Sequence, residues 1–233
     1  MENMKTSLIV LFVYSLAACS PVPLKHPYIH PSASQGDINT YGFLCHSGDV
    51  ASRSISFKGS HEVDIQVLSH PINGSKNNFD LSGGVGFAIM LNIPEGVVVE
   101  FASNSFMIKD HLENFFEHKQ ESYLTGCYND RGFNASILNN YGSTAFIPLL
   151  SCTRELERIA FNEKMTGAYK QEQWGWRKVA LKKQFLIKFY IPDLKANKYT
   201  LTIPHILING EKYYIPQIKF RATTGLFMQP FNC

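Results

Sequence analysis

The sequence predicts a mainly β protein, an immunoglobulin-like β-sandwich with a short helical insertion. Three observations support this fold class. Short apolar–polar alternations recur along the chain, Asn209-Gly210 stands between two apolar runs, and helix signals are confined to about residues 110–180. The composition is that of a globular protein, with 45% hydrophobic and 18% charged residues. We therefore expect one folded domain over residues 41–233.

Several strands can be placed from their patterns. Residues 54–57 and 63–67 alternate polar and apolar side chains, which is the period of a half-buried strand. Two or three more strands are predicted between residues 87 and 108, interrupted by the turn-forming Pro94-Glu95-Gly96. Late in the chain, Asn209-Gly210 predicts a hairpin with a type I′ turn.

A weak repeat adds a question about the architecture. Residues 87–94 and 185–192 share Phe, Ile, Ile and Pro at equivalent positions. Either the match is a coincidence between two similar strands, or two equivalent β units face each other as sandwich halves or as tandem small domains.

The helical insertion rests on two short stretches. Residues 110–122 begin with Asp110 and carry Glu113 three positions later, which is a helix N-cap pattern. Residues 153–164 place Leu156, Ile159 and Ala160 on one helical face. Two short helices carried on a β framework are therefore predicted.

The N-terminus carries a targeting signal. Residues 8–14 form an apolar run that follows Lys5 and is shorter than the ~20 residues a membrane-spanning helix needs. The run closes on Leu16-Ala17-Ala18-Cys19, which resembles the lipobox of bacterial lipoproteins. The alternatives are an ordinary cleavable signal and a retained anchor helix, and translation starts at Met1 or at Met4.

The lipoprotein resemblance implies a lipid anchor and a location. Residues 1–18 would be a cleaved signal peptide, and Cys19 would carry the diacylglyceryl group and a further acyl chain such as palmitate. Ser20 in the next position implies the outer membrane, with the protein facing the periplasm. Residues 19–40, with Pro21, Pro23, Pro27 and Pro31, are predicted to be an extended tether between the lipid and the domain.

The other four cysteines form an even set, which in an exported protein predicts two disulfides. Of the three pairings, Cys127–Cys152 and Cys45–Cys233 are favoured, because the first closes a local loop and the second ties the terminus to the start of the domain. Buried free thiols are the alternative. No C-x-x-C motif points to a redox centre or a zinc ribbon.

One segment has the composition of a binding surface. Trp174 and Trp176 lie beside Arg177 and Lys178, a mixture that suits partner hot spots, glycan stacking or an anionic lipid surface. The structural alternative places both tryptophans in the core on one strand face, with the cations on the other. A protein partner of the cell envelope is the contact we expect here.

No motif in the sequence carries recognisable catalysis. The nucleophile-elbow, zinc-protease and phosphate-loop patterns do not occur. A net charge of +3 does not by itself point to nucleic acid. We predict a non-catalytic envelope module that binds or scaffolds a protein, with a membrane anchor, without catalytic or metal-binding residues, and without a cofactor or nucleic-acid partner.

Two other functions stay open at this point. One is a hydrolase of envelope polymers that uses Asp64, Glu62 or a histidine. Strand alternation would place His61 and Val63 on one face of a strand, and Glu62 and Asp64 on the other face. The other is an immunity or inhibitor lipoprotein.

Overall fold

The computed structural model describes residues 22–41, 52–72, 80–120, 122–129, 157–174 and 176–229. These residues form seventeen β-strands in three antiparallel sheets, with one 3-10 turn at Ser60–Glu62. The mainly β fold class is therefore confirmed. Within these ranges, no helix is long and apolar enough to cross a membrane.

The first sheet has five strands. In spatial order they are β1 (Val22–Ser32), β17 (Ile218–Gln229), β14 (Lys198–Thr202), β7 (Ser105–Asp110) and β8 (Phe115–Lys119).

The second sheet has eight strands. Seven follow one path: β10 (Glu157–Ala160), β9 (Ser122–Asn129), β13 (Arg177–Ile191), β5 (Val85–Asn92), β4 (Asp64–Pro71), β3 (Ser52–Lys58) and β2 (Asp37–Tyr41). The eighth, β12 (Tyr169–Trp174), pairs with the first part of β13.

The third sheet is small. Its four strands are β11 (Met165–Thr166), β6 (Val98–Phe101), β15 (Ile206–Ile208) and β16 (Glu211–Tyr213).

The first and second sheets face each other over an aromatic core. The ring of Phe87 in β5 lies 5.0 Å from that of Phe189 in β13, 5.7 Å from that of Tyr199 in β14 and 5.9 Å from that of Phe220 in β17. The Tyr199 hydroxyl also lies 2.7 Å from Ser69 Oγ of β4 across the core. Two antiparallel sheets with interleaved inner side chains form a β-sandwich.

The centre of the second sheet is buried on both faces. Ile65 and Val67 face the first sheet, whereas Gln66 and Leu68 point the other way and are also buried. The alternation of polar and apolar residues that predicted a half-buried strand is present, but here it does not separate a solvent-exposed face from a buried one.

The predicted hairpin is confirmed. β15 and β16 flank Asn209 and Gly210, whose φ angles of 50° and 87° are those of a type I′ turn. The Asn209 side chain also accepts a hydrogen bond from the Val98 amide at 2.9 Å, which joins the turn to β6.

The two similar octapeptides are neighbouring strands of the second sheet. β5 and β13 pair antiparallel, with Phe87 opposite Phe189 and Ile89 opposite Ile187. Of the shared positions, Ile89 and Ile187 are direct partners, whereas Phe185 is opposite Leu91 and Ile191 is opposite Val85. The octapeptides are therefore neighbouring strands of one sheet, and neither sandwich halves nor tandem domains.

The predicted helix at 110–122 is wrong. The Asp110 carboxylate accepts hydrogen bonds from the amides of Leu112 and Asn114 at 2.8 and 2.9 Å, and these bonds close the turn between β7 and β8. Glu113 adopts φ 66°, which an α-helix does not allow. The Asp110 side chain does cap backbone amides, as the N-cap pattern predicted, but it caps a hairpin turn and not a helix.

The second predicted helix is also wrong where it is described. Residues 157–160 form β10, which pairs with β9 and places Ile159 opposite Tyr123. Residues 153–156 lie outside the described residues. The pairing outweighs the weak helical period, as tertiary context often does.

Most of the predicted tether at 19–40 is strand instead, and its residues 19–21 lie outside the described residues. All eleven residues of β1 pair with β17, and Asp37–Tyr41 form β2. Proline lacks an N–H donor and is tolerated at a sheet edge, which is the position β1 occupies.

Candidate functional site

A cleft with a basic lining lies on the outer face of the first sheet. Its volume is about 460 Å³. We define the basic cleft by its charged and polar lining residues: His30, Ser32, Lys109, Asp110, His111, Lys198, Thr200, Lys219 and Arg221.

Strand alternation places the cations on this face. Tyr199 and Leu201 of β14 are buried in the core, so Lys198 and Thr200 point outward. Ile218 and Phe220 of β17 are buried in the same way, which leaves their neighbours Lys219 and Arg221 exposed. The outward residues of adjacent strands form two rows.

The rows follow from the strand register. In the first row, His30, Arg221 and Lys198 are direct neighbours across β1, β17 and β14. The second row consists of Ser32, Lys219, Thr200 and Lys109 on β1, β17, β14 and β7.

The first row brings two positive charges together. Lys198 is directly opposite Arg221, a position in which side chains start only ~5 Å apart and like charges are destabilising. In the described parts of the chain, no Asp or Glu side chain forms an ion pair with Lys198, Lys219 or Arg221. Their charge is therefore not neutralised by a carboxylate of the described residues.

The cleft contains one carboxylate, and its hydrogen-bonding capacity is used elsewhere. Asp110 Oδ2 accepts a bond from Asn114 Nδ2 at 2.8 Å, in addition to the two turn amides. These bonds, with the Asn114 side chain foremost, hold the pKa of the Asp110 carboxyl below its ordinary value. Asp110 thus stabilises the turn rather than pairing with a lysine of the cleft.

Lys109 differs from the other cations. It forms a salt bridge with Glu113, and its ammonium lies 5.3 Å from the centre of the Phe115 ring. It stands at the border between the basic cleft and the exposed ring of Phe115 in β8.

His30 contributes a neutral donor. Its Nδ1 lies 3.3 Å from a guanidinium nitrogen of Arg53, and because arginine only donates, Nδ1 must accept. Burial, followed by the charges of Arg53 and Arg221, lowers the pKa of His30. The proton of the neutral ring is therefore on Nε2.

This arrangement is suited to binding an anion. The cleft offers lysine ammonium groups and the planar guanidinium of Arg221, which can donate two parallel bonds to a phosphate or carboxylate. In the described residues, no three His, Cys, Asp or Glu side chains cluster as a metal site.

The predicted partner-binding residues come together at one hairpin. Trp174 ends β12 opposite Arg177, Lys178 pairs with Gln173, and Trp176 lies in the turn between the strands. The Trp176 side chain is 82% exposed, so the alternative in which both tryptophans lie in the core is wrong for Trp176. The hairpin and the basic cleft belong to different sheets.

The cysteine predictions fall largely outside the described residues. Cys127 lies in β9, opposite Gln184 of β13. Cys19, Cys45, Cys152 and Cys233 are outside the described ranges, so the lipidation and both disulfides stay predictions.

The carboxylates considered for hydrolysis do not line the cleft. His61 and Glu62 belong to the exposed 3-10 turn, both with positive φ, so the predicted strand alternation is wrong for them. Asp64 begins β4 and accepts a hydrogen bond from Asn92 Nδ2 at 3.3 Å.

Sequence reasoning missed the basic cleft. Its signal is an alternation in which Lys198, Lys219 and Arg221 occupy outward positions of two strands. Which strands become neighbours is not visible in one sequence, because β1 comes from the other end of the chain and two further strands lie between β14 and β17.

Comparisons with known proteins do not assign a family. No protein-family model and no curated protein matches the chain. Among solved structures, the X-ray structure of a Northeast Structural Genomics Consortium target matches 87% of this chain and 87% of its own, at 9% identity and a TM-score of 0.22. At that TM-score and identity, the likeness carries no argument about fold or function.

Proposed function

We propose that this protein is a non-catalytic, lipid-anchored binding module of the bacterial envelope and that the basic cleft binds an anionic group. The observation that carries the proposal is the placement of Lys198 directly opposite Arg221 with no ion-pair partner for either among the described residues. An anion that accepts hydrogen bonds from both side chains would remove the repulsion between them.

The anchor and the location belong to the same proposal. The lipobox-like residues 16–19 support cleavage after residue 18 and lipidation of Cys19. Ser20 supports the outer membrane with the domain facing the periplasm, and the even set of remaining cysteines supports disulfides there. Two facing antiparallel sheets support an immunoglobulin-like description in the broad sense.

A protein partner is the second candidate function. The exposed Trp176 at a hairpin tip supports it, because tryptophan is enriched among the residues that dominate protein interfaces. Alanine substitution of Trp174 and Trp176 should remove an envelope partner from crosslinked pull-downs. An unchanged set of partners would reject this contact.

The anion site is tested with a double substitution. We expect Lys198→Gln with Arg221→Gln to weaken tripolyphosphate binding at least about tenfold, as a loss of about 1.4 kcal/mol implies. In buffer without a multivalent anion, the same variant should be as stable as the unmodified protein or more stable, because the repulsion is gone. Calorimetric titration of the mature protein in non-ionic detergent measures the binding, and urea unfolding measures the stability.

Lys212→Gln is the matched control for this experiment. Lys212 is exposed in β16 of the third sheet, away from the basic cleft, and its substitution also removes a positive charge. It should leave binding nearly unchanged. Equal binding by the double variant and the unmodified protein would reject the cleft as the anion site.

Lipidation has its own test. Growth with an alkyne-bearing fatty acid should label the unmodified chain, and Cys19→Ala should abolish the label. A labelled Cys19→Ala chain would overturn the assignment.

A further inference from the structure

We infer that the anion in the basic cleft is the headgroup of an anionic phospholipid in the membrane leaflet that holds the anchor, so that the outer face of the first sheet lies on that membrane. This inference rests on the proposed function. It specifies the ligand of the same cleft and the orientation of the domain.

The first step is the chemistry around the cleft. Leu112, in the turn between β7 and β8, is 68% exposed, and Phe115 of β8 is 66% exposed. Met107 of β7, on the outer face beside Lys109, is 37% exposed. Apolar side chains that flank several cations are typical of surfaces that bind at the headgroup level of a membrane. A small soluble anion would not contact these apolar side chains, whereas a lipid would.

The second step is how apolar and basic side chains share one surface. Phe115 is directly opposite Lys109, and Met107 is opposite Glu117 in the same pair of strands. Lys109 and Phe115 therefore project from the same face of the first sheet. Lys109 is directly opposite Thr200, which is opposite Lys219, so Phe115 extends the second row by one strand. Headgroup phosphates would meet the cations, while the aromatic ring would reach the acyl boundary.

The third step is the short distance to the proposed lipid. β1 begins at Val22, so only Ser20 and Pro21 separate it from Cys19. Three residue steps span at most ~10 Å, which leaves the first sheet close to the leaflet.

The orientation follows from the position of the cleft along β1. His30 lies eight residues beyond Val22, which is ~26 Å along a strand. If the strand stood upright, the cleft would be several Debye lengths from the headgroups, because the Debye length is ~8 Å at physiological ionic strength. Charge complementarity with an anionic leaflet therefore favours a sheet that lies flat.

The experiment measures the orientation of the mature lipoprotein in two kinds of vesicle. One kind contains only phosphatidylcholine, and the other also contains phosphatidylglycerol. The lipid inserts into both, so recruitment is the same. A water-soluble acylating reagent then modifies exposed lysines, and mass spectrometry reports the extent at each site.

We expect Lys198 and Lys219 to be modified severalfold less in the anionic vesicles, and high salt should restore their modification. Lys212 in the third sheet should react equally in both. Equal reactivity of Lys198 and Lys219 in the two vesicles would overturn the inference, as would a chain that carries no lipid.

A pair of variants tests the apolar contribution. Phe115→Ser should restore modification of Lys198 in anionic vesicles. Tyr214→Ser changes a side chain that is 68% exposed near the third sheet, and it should leave the protection intact. Protection that survives Phe115→Ser would overturn the apolar part of the docking surface.

Failure of this inference can be told apart from failure of the proposed function. If tripolyphosphate binds to the cleft in detergent but the lysines are not protected in anionic vesicles, the cleft takes a different anion and only the inference is rejected. If neither occurs, both are rejected.

Discussion

His70 shows how the fold sets the chemistry of one side chain. It is buried in β4, and its Nδ1 lies 3.0 Å from the carbonyl oxygen of Pro71. Burial, aided by the charge of Lys188, lowers the pKa of His70 to about 4. The unfolded chain therefore binds a proton at a higher pH than the folded protein does.

We expect this difference to make stability depend on pH between about 6.5 and 4. Above pH 6.5 the His70 ring is neutral in both the folded and the unfolded state, so its titration does not change the free energy of unfolding. As the pH falls through this window, only the unfolded state gains the proton, so the free energy of unfolding decreases by up to about 3 kcal/mol. Urea unfolding at several pH values measures the decrease.

His70→Asn keeps a donor for the Pro71 carbonyl but cannot titrate. Its stability should therefore fall less over the same pH range, although its absolute stability is lower. His111→Asn, at an exposed position in the turn after β7, should retain the full pH dependence. An equally steep decrease in His70→Asn would contradict the assignment.

At the scale of an element, β1 explains why a strand was predicted to be a tether. Pro23, Pro27 and Pro31 are four residues apart, so they direct their backbone nitrogens to the same side of the strand. Because β17 is the one described strand that pairs with β1, these donor-free positions can occupy the free edge and discourage further pairing. Without knowledge of β17, which lies far along the chain, the same prolines indicate an extended linker.

Gly84 and Gly210 provide a matched test of two turns. Their φ angles are +88° and +87°, a region that side chains with a Cβ atom disfavour by about 1–2 kcal/mol. A Cβ at Gly210 would meet nothing within 4 Å, whereas one at Gly84 would lie 2.4 Å from the carbonyl oxygen of Ile191. Substitution by alanine therefore carries the same backbone cost at both glycines, whereas only the substitution at Gly84 also brings its Cβ too close to other atoms.

Gly210→Ala should therefore lower the free energy of unfolding by about 1–2 kcal/mol. Gly84→Ala should lower it by roughly 1–3 kcal/mol more, because the start of β5 must move away from the end of β13. Urea unfolding of both variants makes the comparison. Equal losses would show that the contact with Ile191 relaxes without cost.

The sequence predicted local features of this molecule better than its long-range arrangement. Asn209-Gly210 identified its hairpin because the turn depends on two adjacent residues. Asp110 and Glu113 indicated a capped backbone, but whether the cap starts a helix or closes a β-turn depends on pairing between β7 and β8. The basic cleft depends on the order of β1, β17 and β14, which no local pattern encodes.

At the scale of the whole molecule, Phe106 joins the three sheets. It is fully buried in β7 of the first sheet, and its ring centre lies 5.0 Å from that of Phe189 in the second sheet. The rings of Phe101 in the third sheet and of Phe161 lie at 6.1 and 5.9 Å. A core shared in this way indicates that the sheets unfold together.

Phe106→Ala should lower the free energy of unfolding by about 3–5 kcal/mol, because it leaves a cavity at this junction. Circular dichroism follows all the strands, whereas tryptophan fluorescence follows the hairpin of β12 and β13, where both tryptophans lie. Because the sheets share one core, the two urea midpoints should fall together. Phe115→Ala, at the exposed edge of the first sheet, should change stability by less than about 0.5 kcal/mol. A fluorescence midpoint that stays in place while the dichroism midpoint falls would mean that the second sheet is stable without the other two.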